Sequence, residues 1–134
     1  MVRSRLSYLF VLPLAMVLMG AKLADPDPIA VPSGLSAKDV SKAIRSSIVQ
    51  RGWAITKDAG GQIDATLNVR THTARVAIGY DARNVRIRYV DSSNLDYEEK
   101  QGGRLIHRNY LRWIQNMVAD ISRSMQAAAI EKEG

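Results

Sequence analysis

The chain has 134 residues, a formal net charge of +6 and no cysteine. That length holds one domain, and the lack of thiols excludes a disulfide framework and thiolate chemistry. Arg3, Arg5 and Lys22 supply half of the charge; without residues 1–24 it falls to +3, an ordinary value and not a nucleic-acid signature.

Met1–Arg5 is short and basic, and Leu6–Gly20 is an apolar run. This is the layout of a secretory signal peptide. Lys22 ends the run before the roughly 20 residues that a spanning helix needs; an uncleaved N-terminal anchor is the other reading. Cleavage wants small residues at the last position and two before it. A cut after Ala24 puts Lys22 at the second of these, and a cut after Ala21 puts Met19 there. Leu18-Met19-Gly20-Ala21 has the form of a lipoprotein signal with alanine in place of the lipid-bearing cysteine, so no thioether anchor can form. Residues 1–24 are thus expected to be a signal or anchor, and residues 25–35, with Pro26, Pro28 and Pro32, a linker.

Ser36-x-x-Asp39 reads as a helix start. Val40, Ala43, Ile44 and Ile48 follow at helical spacing, and Arg51-Gly52 suits the end, which predicts a helix over 36–51. The period then becomes two. Trp53–Thr56 is a short strand. Ile63, Ala65, Leu67 and Val69 alternate with polar residues, as do Ala74, Val76, Ile78 and Tyr80, and then Val85, Ile87 and Tyr89. Such runs joined by tight polar connections predict an antiparallel meander with one buried face. Asp81-Ala82-Arg83-Asn84 is a turn. Ile106, Tyr110, Trp113, Ile114, Met117, Ile121 and Met125 form the stripe of a last helix, expected to fray near Ala127–Ala129 ahead of a polar tail, 130–134. The expected fold is α+β: helix, four-stranded antiparallel meander, helix, with both helices packed on one sheet face as two layers. The domain spans 36–129.

There is no nucleophile elbow, no phosphate loop and no histidine pair at metal spacing. No catalytic residue, metal site or cofactor is expected. His72, in a turn, is expected to be solvated. If Tyr89 carries its inward phase forward to Asp91 and Ser93, then Tyr89, Asp91, Ser93, His107, Tyr110 and Asn116 cluster, with Tyr80 beside them. This reads either as a polar pocket with Asp91 and His107 as an acid/base pair, or as a hydrogen-bonded latch pinning a loop.

The outward face offers a second candidate. A hairpin closed by Ala82-Arg83 sets Gly79 opposite Arg86, Ala77 opposite Arg88 and Arg75 opposite Val90. A turn at Thr71-His72 sets Asp64 opposite Gly79 and Asn68 opposite Arg75. Arg70, Arg75, Arg86 and Arg88 then face outward against one acid, Asp64. This reads as a solvated face whose charges prevent stacking, or as a docking surface for anionic lipid headgroups or cell-wall carboxylates. Nucleic acid is not expected, since no aromatic residues interleave the arginines.

Ser92-Ser93-Asn94-Leu95-Asp96-Tyr97 (S-x-N-L-x-Y) and Ile106-His107-Arg108-Asn109-Tyr110-Leu111-Arg112-Trp113-Ile114-Gln115-Asn116 (I-H-x-N-Y-x-x-W-I-x-N) carry a resemblance to a group of small proteobacterial envelope proteins of unassigned activity, many of them lipoprotein-like. It covers roughly Gly52 to Ile121. The resemblance implies a periplasmic or membrane-attached location, facing the periplasm of a Gram-negative bacterium, and brings no activity with it. The functional expectation is a non-enzymatic cell-envelope module docking to an anionic membrane or cell-wall surface or to an envelope protein. The alternatives are a ligand-binding or hydrolytic pocket around Asp91 and His107, and an inhibitor or accessory subunit of an envelope enzyme.

Overall fold

The computed structural model describes residues 20–134. Residues 1–19, with the basic stub and nearly all of the apolar run, lie outside the described residues. Among the described residues the fold is α+β, with two helices and two antiparallel sheets.

Helix α1 spans Ala37–Gln50. Ser36 caps it: its Oγ accepts from the Asp39 amide, and the Asp39 carboxylate accepts from the Ser36 amide at 2.8 Å. This reciprocal capping box satisfies two of the amides that a helix start leaves orphaned. Gly52, at φ +90°, turns the chain out of the helix.

The larger sheet has five strands rather than four, in the order β2-β6-β5-β4-β3. They are β2 (Ile29–Ala30), β3 (Ala54–Ala59), β4 (Gln62–Val69), β5 (His72–Tyr80) and β6 (Asn84–Ser93). The Asp81 carboxylate accepts from the amides of Arg83 and Asn84 at 2.7 and 2.8 Å. This fixes a two-residue hairpin in which Gly79 faces Arg86 and Ala77 faces Arg88, as the turn sequence predicts. The β4–β5 turn is Arg70-Thr71, not Thr71-His72, so Asp64 faces Ala77 and Asn68 faces Thr73. The register moves by two residues, which leaves the paired residues of β4 and β5 on their expected faces but moves Arg70 into the turn.

The added strand comes from the expected linker. Ile29 and Ala30 pair with Val85 and Asn84, and Ile29, Leu35 and Leu23 are buried. The Asp25 carboxylate accepts from the Tyr89 amide at 2.9 Å. Residues 25–31 therefore run along the edge of β6. Pro26 and Pro28 lack amide donors, which limits pairing there to the two-residue β2.

A second sheet, in the order β1-β8-β7, is built from β1 (Ala21–Lys22), β7 (Glu98–Lys100) and β8 (Gly103–Ile106). Ile106, read from the sequence as the first residue of the helical stripe, belongs to β8. Helix α2 spans Arg108–Glu133 and does not fray at Ala127. Its last turn is tied down, because Lys132 Nζ donates to Asp39 at 2.6 Å and to the Gly34 carbonyl at 3.2 Å. Arg51 pairs with Asp120 at 2.7 Å. Asp39 to Arg51 and Asp120 to Lys132 are equal spacings, so the helices lie antiparallel and are clasped at two points. Inward residues of β4, β5 and β6 join those of α1 and α2 in one core.

Candidate functional site

The outward face of the larger sheet is a grid set by strand register. One row runs Gln62, Gly79, Arg86. The next runs Lys57, Asp64, Ala77, Arg88. A third runs Ala54, Thr66, Arg75, Asp91. Ala77 is 3 % exposed despite facing outward, because the long side chains around it lie over a residue with no reach of its own. A Cβ on Gly79 would meet nothing within 4 Å, so the surface between Gln62 and Arg86 is open. Beside Ala77 lies a depression of about 300 Å³, lined chiefly by Gln62, Asp64, Thr66, Arg75 and Arg88.

Charge on this face is unevenly compensated. Arg75 pairs with Asp91 at 2.9 Å. Among the described residues Arg86 and Arg88 have no carboxylate within 4.0 Å, and residues 1–19 contain no acid. Asp81, across the hairpin turn, is held below the usual carboxylate range first by the Asn84 and Arg83 amides and only weakly by Arg86. Arg70 does not join the face: it occupies the β4–β5 turn at φ 56°. Lys57 takes a place there instead, through a bulge between Ile55 and Lys57.

A second bulge decides the fate of the expected polar cluster. Val76 faces Tyr89, but Arg75 faces Asp91, so Val90 is the extra residue. The alternation of β6 flips after Tyr89. Asp91 and Ser93 turn outward, and Ser92 turns inward, where its Oγ meets the Tyr89 hydroxyl at 2.7 Å. His107 lies on the inward side, at the start of α2. Asp91 and His107 therefore lie on opposite faces of the sheet, and the acid/base pair of the pocket reading does not form. Asn116 lies apart as well, beside Trp53, Trp113 and Arg51. Of the six, the rings of Tyr89 and Tyr110 meet, edge to face with centroids 5.4 Å apart.

Around those two the structure builds a stack that the sequence reading lacked. Tyr97 lies parallel to Tyr89 at 5.1 Å, and the Arg104 guanidinium sits 5.9 Å from the Tyr89 ring centroid. Burial, with Asp25 and Tyr89 nearby, raises the Tyr110 phenol well above its ordinary value; burial also raises Tyr89, against the Ser92 hydrogen bond. Both phenols stay protonated at neutral pH, which suits their packing. The hairpin bearing Arg104 was legible in part: Gln101-Gly102-Gly103 is a turn signal between two short runs.

The residues of the two motifs have structural work. Asn94, at φ 56°, donates to Thr71 at 2.6 Å, and its carbonyl accepts a hydrogen bond from His72 Nδ1–H. His72 is thus half-buried and bonded rather than solvated. Leu95 is 1 % exposed, and its carbonyl accepts from the His107 amide. His107 caps α2, with Nδ1 accepting from the Asn109 amide at 3.0 Å. The imidazole centroids are 6.1 Å apart, and each Nδ1 is committed to a backbone group. The loop after β6 is held by Thr71, His72, Asn94 and His107, a set that shares only His107 with the six residues of the expected cluster.

Among the described residues no group of three or more acidic or histidine side chains is placed to hold a metal ion, and no helix is long and apolar enough to cross a membrane. Compared with protein-family models, curated proteins and solved structures, the chain finds no significant match.

Proposed function

We propose that this protein is a non-enzymatic envelope module that docks on an anionic surface through the outward face of its larger sheet. Arg86 and Arg88 carry the reading: two adjacent outward arginines, beside an open Gly79 and a flat Ala77, with no carboxylate in pairing range. Four cations, Lys57, Arg75, Arg86 and Arg88, stand on this face against Asp64 and Asp91, so its sign suits lipid phosphates or cell-wall carboxylates. The inward residues of β4, β5 and β6 share one core with α1 and α2, so among the described residues the outward face is left for contact. The basic stub and apolar run, which read as an export signal, support a periplasmic setting for such a surface.

Each arginine at an anionic membrane contributes about 1 kcal/mol, screened within a Debye length of about 10 Å at 0.1 M salt. Vesicles containing phosphatidylglycerol, and peptidoglycan in parallel, should co-sediment the protein at low salt and release it at high salt. Arg86→Glu with Arg88→Glu should remove that salt-dependent fraction, by more than tenfold. The apolar run at Leu6–Gly20 can itself partition into lipid, so the salt-dependent part is the reading. Binding that is absent at low salt, or indifferent to the charge reversal, rejects the proposal.

A further inference from the structure

The two cleavage positions read from the sequence, after Ala21 and after Ala24, leave different molecules. Leu23 is 4 % exposed within the core, and its amide donates to the Arg104 carbonyl at 2.8 Å. Ala21 and Lys22 are β1, which pairs with Ile106 and Leu105 of β8. Gly20 already lies against the same strand: a Cβ there would sit 3.0 Å from the Ile106 carbonyl oxygen. Loss of residues 20–24 would uncover the outer edge of β8. It would leave β7 and β8 as a two-stranded ribbon, and such a hairpin is marginal in water. That ribbon holds Arg104 over Tyr89, so the damage reaches the larger sheet.

We infer that Lys22, Leu23 and Ala24 belong to the mature protein: export processing falls at or before the Ala21–Lys22 bond, and the Ala24–Asp25 bond is left intact. At Ala21–Lys22 the step is hydrolysis. Water gives its hydroxyl to the Ala21 carbonyl carbon and a proton to the Lys22 nitrogen, and the new cationic N-terminus stays at the edge of β8. The inference rests on the export reading, not on the docking face. Its consequence is that no proline spacer separates the fold from the apolar run, because residues 25–31 lie along β6. A chain that keeps the run as an anchor holds its domain directly at the membrane.

Two measurements test this. Intact mass of the protein recovered from the envelope should show a chain that begins at Lys22 or earlier; a chain beginning at Asp25 overturns the inference. Independently of export, residues 20–134, which hold every described core residue, should be compared with residues 25–134. The shorter chain should melt at least about 5 °C lower and lose amide-exchange protection over Glu98–Ile106. Leu23→Ala in the longer chain should move the same way. Equal melting and equal protection for the two lengths would overturn the structural premise, even where the mass agrees.

Discussion

The two sheets of this protein are stabilised differently. The larger one has strands of eight to ten residues at its centre, β4, β5 and β6, each with an apolar set in the common core. The smaller has strands of two, three and four residues, too short to hold one another by ladder hydrogen bonds alone. It persists because Leu23 and Ile106 enter the common core, and because Tyr97 and Arg104 close over Tyr89. Long strands make the first sheet, whereas contacts with the first sheet make the second.

Tyr89 is the sharpest place to break that dependence, since it belongs to the large sheet and carries the small one. Tyr89→Ala should cost about 3–5 kcal/mol, as truncation of a buried aromatic does, measured by urea unfolding. Exchange protection should fall first in β7 and β8 and last in β4. Uniform loss across both sheets would show that they unfold as a single unit. Tyr89→Phe keeps the rings and removes only the hydroxyl contact with Ser92, and should cost about 1 kcal/mol.

The same contrast explains what the sequence disclosed. The α1 cap at Ser36 and Asp39, the Asp81 turn and the alternation of β4 and β5 are local, so period and turn chemistry place them. Non-local support is written at no single position. Leu23 and Ile29 sit among prolines and charges and show no strand period, so a bound edge segment resembles a free linker. The Val90 bulge is silent because Tyr89-Val90-Asp91 would read equally well as unbroken alternation. That one extra residue separates Asp91 from His107 and delivers it to Arg75. The outward arginines survived because the Asp81 turn fixes β5 against β6, while Arg70 was lost to the two-residue shift of the other turn.

Acid should separate the helix clasp from the sheets. The Asp39 carboxyl is held at about 2, below its ordinary 3.8, chiefly by the Lys132 hydrogen bond and then by Ser36. A depressed carboxyl stabilises the fold in its charged form. That contribution is complete above about pH 4 and fades as the pH falls toward about 2. Asp39→Asn should therefore be less stable than the parent at pH 5–7 and converge with it near pH 2, followed by urea midpoints at each pH. A gap that stays constant down to pH 2 would mean that the capping geometry, not the charge, carries the effect.

The smallest effect on stability belongs to Arg75 and Asp91, whose side chains are 48 % and 57 % exposed. An exposed pair contributes about 0.2–1 kcal/mol, so Asp91→Asn should change the urea midpoint very little. Its effect on docking should be the larger one. The substitution removes one of the two acids from the outward face and releases Arg75 from its partner. One unit of charge near an anionic surface corresponds to about 1 kcal/mol, or roughly a fivefold gain in vesicle binding at low salt. A variant that binds more tightly at unchanged stability would locate the docking surface on this face of β5 and β6. Unchanged binding would remove Arg75 from it and leave Arg86 and Arg88 as its centre.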